Sequence, residues 1–323
     1  MIRIRYWCEG FDPKYGDLFQ GSHDLGIEWN DLVWAAVSVG KLGYDDLMGY
    51  GLFSIDEVRF RTYLIYSHLM QDGDRVSKSP LYESLDSTEK GAASYFIGMA
   101  ISKLIGMFLL GIPWLVHLEK IKALYNIDVK GKSRPDLLGM NPHGKWLVFE
   151  AKGRTHGFSQ DALARAKSQI SQIRHISGQR PTLRVATESF FNPYLSVIIS
   201  DPNGFSDNLI DMEIDETQFF LSYYSALRNV QQFVGRIQTI GEHHYAFVDV
   251  ETVGISIGLD RRLLDHLQRG RINRKDIADI QTDMNKLYRE DNRSTKCYSD
   301  GLAVSLDDRR WASGIMSLEP SKR

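Results

Sequence analysis

Arg134-Pro135-Asp136-Leu137-Leu138-Gly139-Met140-Asn141-Pro142-His143-Gly144-Lys145-Trp146-Leu147-Val148-Phe149-Glu150-Ala151-Lys152 is the stretch on which the reading of this chain turns. Two apolar runs, Pro135–Met140 and Trp146–Lys152, flank Asn141-Pro142-His143-Gly144, whose residues favour a tight turn. The pattern predicts a β-hairpin. Strand alternation puts Glu150 and Lys152 on one face. A four- or five-residue turn sets Asp136 opposite Phe149 or Glu150, with carboxylate-bearing Cβ atoms about 5 Å apart. Two like charges in that arrangement are destabilising unless a cation neutralises them, and carboxylate oxygens are the ligands Mg²⁺ prefers. The Ala151 carbonyl, between the two motif side chains, supplies a further oxygen. Lys152 beside such an ion would orient or help deprotonate an attacking water and stabilise charge developing on a phosphate.

The surroundings fit that chemistry. From Lys130 to Arg184 there are eleven Lys/Arg against three acids, a local balance of +8 that leaves −10 for the rest of a chain whose net charge is −2. Such a basic stretch is expected of a phosphate-backbone binder, although a solvated charged face has the same composition. Upstream, a helix is predicted from about Glu89 to Leu110, capped by Ser87 or Thr88, with Gly91, Ser94, Gly98, Ser102 and Gly106 allowing a sheet to approach closely. A strand over Ile112–Leu118 follows. Downstream, Ser159 caps a helix expected to reach Ile176 on the stripe Ala162, Leu163, Ala166, Ile170, Ile173, Ile176. Strands over Thr182–Ala186 and Leu195–Ser200 come next. The order is helix, three strands, helix, strand.

With Arg134-Pro135-Asp136 … Glu150-Ala151-Lys152 in that order of elements, residues of about 88–190 resemble the PD-(D/E)xK nuclease superfamily, the restriction-endonuclease-like fold. The resemblance implies an α/β fold with an αβββαβ core, a mixed central sheet flanked by helices. It also implies that Asp136 and Glu150 bind Mg²⁺, for which Mn²⁺ can substitute, and that Lys152 is the catalytic lysine. Many members add an acid on the first core helix, where Glu89 is the candidate; an acid favoured by the helix dipole is the competing account of Glu89. Many also carry a glutamine on the helix after the lysine, where Gln169 and Gln172 fit. The tyrosine that follows this glutamine in one branch is absent, since position 173 is Ile. Arg134, Arg154 and Lys167 are candidate phosphate contacts, each weighed against a plain solvated charge.

The flanks are less specific. Residues 1–88 are expected to form a mainly helical N-terminal subdomain, 89–200 the nuclease core, and 201–323 an α+β or helical accessory region. Ala92–Val116 is apolar enough to suggest a membrane span, but Lys103 in its middle and Pro113 near its end oppose one. Cys8 and Cys297 offer neither a zinc spacing nor a disulfide framework, and Met1–Arg5 lacks the apolar run of a signal peptide. A cytoplasmic protein with no membrane association is therefore expected. No Walker A, dinucleotide-binding or Gly-x-Ser-x-Gly motif is present, so ATP hydrolysis and nicotinamide chemistry have no visible seat. His243-His244 is read as surface. The expected activity is a Mg²⁺-dependent endodeoxyribonuclease acting on DNA, in antiviral defence or DNA processing, as a homodimer or with a partner protein. A non-catalytic nucleic-acid-binding or scaffolding protein of the same fold, and an RNase, stay open as alternatives.

Overall fold

The computed structural model describes residues 1–39, 53–119, 121, 134–201, 209–233, 236–251, 254–289 and 295–307. The protein is mixed α/β, with a mixed central sheet flanked by helices. Among the described residues that sheet has nine strands. They are β1 (Ile2–Glu9), β2 (Gly21–Ile27), β3 (Leu69–Asp72), β4 (Arg75–Lys78), β5 (Trp114–His117), β6 (Leu137–Met140), β7 (Trp146–Gly153), β9 (Leu183–Phe191) and β10 (Leu195–Ser200); β8 (Ile173–Ile176) lies outside it. The spatial order is β3-β4-β1-β10-β9-β7-β6-β5, with β2 pairing β1. Strands β5, β6 and β7 form an antiparallel meander, β7 runs parallel to β9, and β9 turns back antiparallel to β10.

Two helices sandwich the middle of this sheet. Helix Ser87–Phe108 packs on β7 and β9 from one side and helix Gln160–Ile170 from the other. Alternation along β9 shows the two faces: Thr187 hydrogen bonds Ser102 of the first helix, while its neighbour Glu188 accepts from the Ser159 amide at the start of the second. The first helix approaches very closely. A Cβ built at Gly98 would lie 2.8 Å from the Gly153 nitrogen, and one at Gly153 would lie 1.7 Å from the Ser94 oxygen. The small residues on this helix let it settle on the end of β7. Ile97, Ile101, Leu104 and Ile105 are buried beneath it, each contributing about 1.5–3 kcal/mol by leaving water.

Several elements differ from the sequence reading. Residues 1–88 are not a separate, mainly helical subdomain. Helices Trp29–Ser38 and Phe53–His68 are present, but β1 pairs in parallel with β10 inside the central sheet. The residues carry the reason: Ile2, Ile4, Tyr6 and Cys8 are buried while Arg3, Arg5 and Glu9 are exposed, a period of two. Helix Ser87–Phe108 starts after Asp86, whose side chain accepts from the Thr88 and Glu89 amides, rather than after Ser87 or Thr88. The helix from Ser159 stops at Ile170, and Ile173 and Ile176 belong to β8, which pairs in parallel with β11 (Ile210–Met212). The apolar helix Ser87–Phe108 has the length and composition of a membrane span, but most of its apolar stretch is buried inside the protein.

The C-terminal part is α+β. Five antiparallel strands, β12 (Arg236–Ile240), β13 (His243–Val250), β14 (Ile255–Asp260), β15 (Thr295–Cys297) and β16 (Leu302–Leu306), run in the order β12-β13-β14-β16-β15. Helices Glu216–Phe233, Arg261–Gln268 and Arg274–Arg289 accompany them. A buried polar junction ties this sheet to the first. Asp300 accepts from Trp34 Nε1 at 2.9 Å and from the Tyr223 hydroxyl at 2.6 Å. Lys103, fully buried, lies 4.0 Å from Asp300, donates to the Tyr223 hydroxyl at 2.6 Å and to the Pro113 carbonyl, and sits over the Trp34 ring. Burial pulls the Lys103 ammonium down to about 7, against the opposing attraction of Asp300.

Candidate active site

Asp136 immediately precedes β6. The hairpin pairs Leu137 with Phe149, so the next step outward sets Asp136 opposite Glu150, one of the two registers expected. Backbone amides lock the two acids together. The Asp136 amide donates to Glu150 Oε2 at 2.8 Å, and the Ala151 amide donates to Asp136 Oδ2 at 3.1 Å. Glu150 is fully buried. Burial, and after it the Asp136 charge, push its carboxyl up to about 8, with Lys152 opposing.

Lys152 lies on the same face as Glu150 and donates to Glu150 Oε1. It also donates to Gln169 Oε1 at 2.9 Å, and Gln169 Nε2 donates to the Arg134 carbonyl at 2.9 Å. A closed chain of contacts therefore runs Arg134, Gln169, Lys152, Glu150, Asp136. The helix that carries Gln169 is fixed at its start by Ser159. Its hydroxyl accepts from the Ala162 amide at 3.3 Å, while its own amide donates to Glu188 at 2.7 Å. Gln172, the other expected glutamine, is used through its backbone: its amide donates to Gln169 and its carbonyl accepts from Ile210.

Glu89 does not join the pair of acids. Its carboxylate closes a capping box on the Asp86 amide at 3.1 Å, as an acid in a first helical turn favours. Among the described residues no group of three or more His, Cys, Asp or Glu side chains gathers. The site offers two carboxylates, with the Ala151 carbonyl between the motif side chains. That donor set is all oxygen and fits a hard divalent cation that keeps much of its water shell, as Mg²⁺ does.

The basic residues are less available than the local +8 suggests. Arg134 pairs with Glu119, Arg154 approaches Glu188 at 3.8 Å, Lys167 pairs with Glu9, and Arg174 pairs with Asp211. Acids from other parts of the fold thus neutralise much of the stretch. Lys145, His156 and Arg165 are exposed, while Lys130 and Lys132 lie outside the described residues. His243 and His244 point apart along β13, one toward Asp283 at 3.9 Å and the other to Thr239.

Three residues that the sequence did not single out flank the acids. Glu188 sits in register beside Lys152 on the parallel strand and is fully buried. Burial raises its carboxyl, and the Ser159 amide and Arg154 oppose this. Tyr95 and His117 face each other, with the Tyr95 hydroxyl 3.1 Å from His117 Nε2. Alternation along β9 is the one signal that Glu188 shares a face with the site; Tyr95 and His117 meet only through tertiary packing. In comparison with known proteins, no family model matches the chain, and neither a curated protein nor a solved structure does.

Proposed function

We propose that the protein is a Mg²⁺-dependent nuclease that hydrolyses phosphodiester bonds in DNA from a restriction-endonuclease-like core. The observation that carries this reading is the closed contact chain that holds Asp136, Glu150, Lys152 and Gln169 at one end of a hairpin, with the two carboxylates side by side. The order of elements agrees with it: helix Ser87–Phe108, the β5–β7 meander, helix Gln160–Ile170, and β9 parallel to β7.

In this mechanism Asp136 and Glu150 would hold the cation, which when bound would supply Lewis-acid polarisation of the phosphate and a water of lowered pKa. Gln169 fixes the Lys152 ammonium through its side-chain oxygen, and the Arg134 carbonyl fixes Gln169. Lys152 then presents its donors toward the attacking water and the phosphate, where charge develops. Full burial of Glu150 keeps bulk water from screening these charges.

The test is cleavage of matched DNA and RNA by purified protein, with Mg²⁺ or with chelator. DNA should be cut in the presence of Mg²⁺. Asp136→Ala and Lys152→Ala should each lower the rate by at least about 10²-fold while the thermal unfolding transition remains. Full activity in either variant would remove the site assignment, and preference for RNA would change the substrate. A second reading, nucleic-acid binding without turnover, is favoured by one contact: Lys152 already neutralises part of the Glu150 charge. Mg²⁺-independent binding with no cleavage would select it.

A further inference from the structure

Tyr95 and His117 lie near the start of β6, which Asp136 precedes, and have no part in the contact chain that holds Lys152. Tyr95 stands on helix Ser87–Phe108 where that helix rests on the end of β7; a Cβ at Gly153 would lie 3.1 Å from the Tyr95 nitrogen. His117 ends β5 and pairs with Leu137, the residue next to Asp136. The following residue, Leu118, donates its amide to the Asp136 carbonyl at 2.9 Å. The Tyr95–His117 contact at 3.1 Å therefore bridges helix and edge strand next to the start of β6, and the Asp136 charge acts on the Tyr95 phenol. Phe96 packs edge-on against the Tyr95 ring at 5.4 Å and limits its swing.

Tyr95 also has the two properties a ligand-facing donor needs. It is 39% exposed, so a ligand can reach it. Its phenol is held above its ordinary value, by burial first and by the Asp136 carboxylate next, with Glu150 adding and Arg61 opposing. It therefore keeps its proton and can donate a neutral hydrogen bond. His117 Nε2 can act as donor or acceptor according to tautomer. With the proton on Nε2, the imidazole donates to the phenol oxygen, and the phenol proton is turned outward.

We propose that Tyr95 is a substrate-binding catalytic residue whose hydroxyl donates to a non-bridging oxygen of the scissile phosphate, with His117 as the positioning residue that aims it. This rests on the phosphodiesterase reading of Asp136, Glu150 and Lys152. It adds a neutral donor on the helix Ser87–Phe108 side of the acids, opposite the side from which Gln169 holds Lys152. A neutral donor suits that place, because a second cation beside Asp136 would compete with the metal for the carboxylate.

The experiment is steady-state cleavage of a short DNA duplex with Mg²⁺ by wild-type, Tyr95→Phe, His117→Gln, His117→Phe and the Tyr95→Phe/His117→Phe double variant. Asp136→Ala serves as the inactive reference. Tyr95→Phe removes one oxygen and keeps the ring, so folding should persist in a thermal melt. Its kcat/KM should fall about 10- to 100-fold. His117→Phe should match it, and the double variant should fall no further, since the pair acts as a unit. His117→Gln keeps an N–H near the Nε2 position and should recover most of the rate, which a purely packing role for the ring would not produce. Wild-type rates in Tyr95→Phe with Asp136→Ala inactive would overturn this proposal alone, as would additive losses in the double variant. Wild-type protein with no Mg²⁺-dependent cleavage of any nucleic acid would overturn the phosphodiesterase reading and this one with it.

Discussion

At the scale of single residues, Glu150 carries the sharpest consequence. Its carboxyl is pushed from an ordinary value of 4.5 up to about 8 by burial and by Asp136. A raised carboxyl binds its proton more tightly in the folded than in the unfolded chain. Its contribution to stability is therefore complete below about pH 4.5 and is lost as pH rises through about 8. In metal-free protein the unfolding free energy should fall across that window by an amount on the order of a few kcal/mol, at about 1.4 kcal/mol per pKa unit. Glu150→Gln should flatten the curve, and saturating Mg²⁺ should flatten it in the wild type by binding the ionised form. Chemical denaturation at several pH values with chelator or Mg²⁺ checks this, and identical wild-type and Glu150→Gln profiles would contradict it. Asp136, Glu150 and Lys152 were legible in the sequence as neighbours because hairpin register and strand alternation are local rules. Gln169 was legible because one helical segment follows the strand. Glu89 misled because an acid at a helix start satisfies capping and metal binding equally well on paper; the capping box engages it here. Tyr95 and His117, 22 residues apart, were invisible because nothing local brings them together.

Element by element, the fold is legible in the sequence where a single period governs and less so where two compete. Leu195–Ser200 is a strand as expected. Ile173 and Ile176 continue a helical stripe arithmetically, yet both are buried in β8, and pairing with β11, about 35 residues away, decides the matter. β1 has clean alternation, but its partner β10 begins about 190 residues later, so alternation alone could not place it in the central sheet. The small residues of helix Ser87–Phe108 give a testable contrast within one element and its neighbour. Gly153→Ala drives a Cβ into the Ser94 carbonyl, with 1.7 Å available. It should destabilise by about 1–3 kcal/mol or more, since backbone on both sides must move. Gly91, on the same helix, has nothing within 4 Å of its Cβ position. Gly91→Ala should be neutral or stabilising by about 0.5–1 kcal/mol through helix propensity. The urea unfolding midpoint should fall for Gly153→Ala and hold or rise for Gly91→Ala; an unchanged midpoint in Gly153→Ala would mean that the helix does not rest on β7 as described.

For the molecule as a whole, the expected division at 88/89 disappears because β1 and β4 join the same sheet as β9 and β10, whereas β12 to β16 form a second sheet. What the sequence could not reveal is how the two sheets are joined, because the junction assembles residues from four distant segments: Trp34, Lys103, Tyr223 and Asp300. Lys103, the residue that argued against a membrane span, has its physical role there. An ammonium and a carboxylate, both fully buried and 4.0 Å apart, each need the other along with the Trp34, Tyr223 and Pro113 contacts. Removing one partner leaves an uncompensated buried charge, which costs about 3–5 kcal/mol, whereas removing both leaves an apolar or neutral pocket at much lower cost. Lys103→Met and Asp300→Asn should therefore each be strongly destabilising, and the double variant should lose much less stability than the sum of the two. Because the pair links the sheets, the single variants should also release the C-terminal sheet first. Trp34 and Trp114, both buried at this junction, report that step by fluorescence as a shallower denaturant slope or an early transition. Strict additivity in the double variant, with slopes unchanged in all three, would mean that the sheets are held by their apolar contacts and that the ion pair is incidental to the coupling.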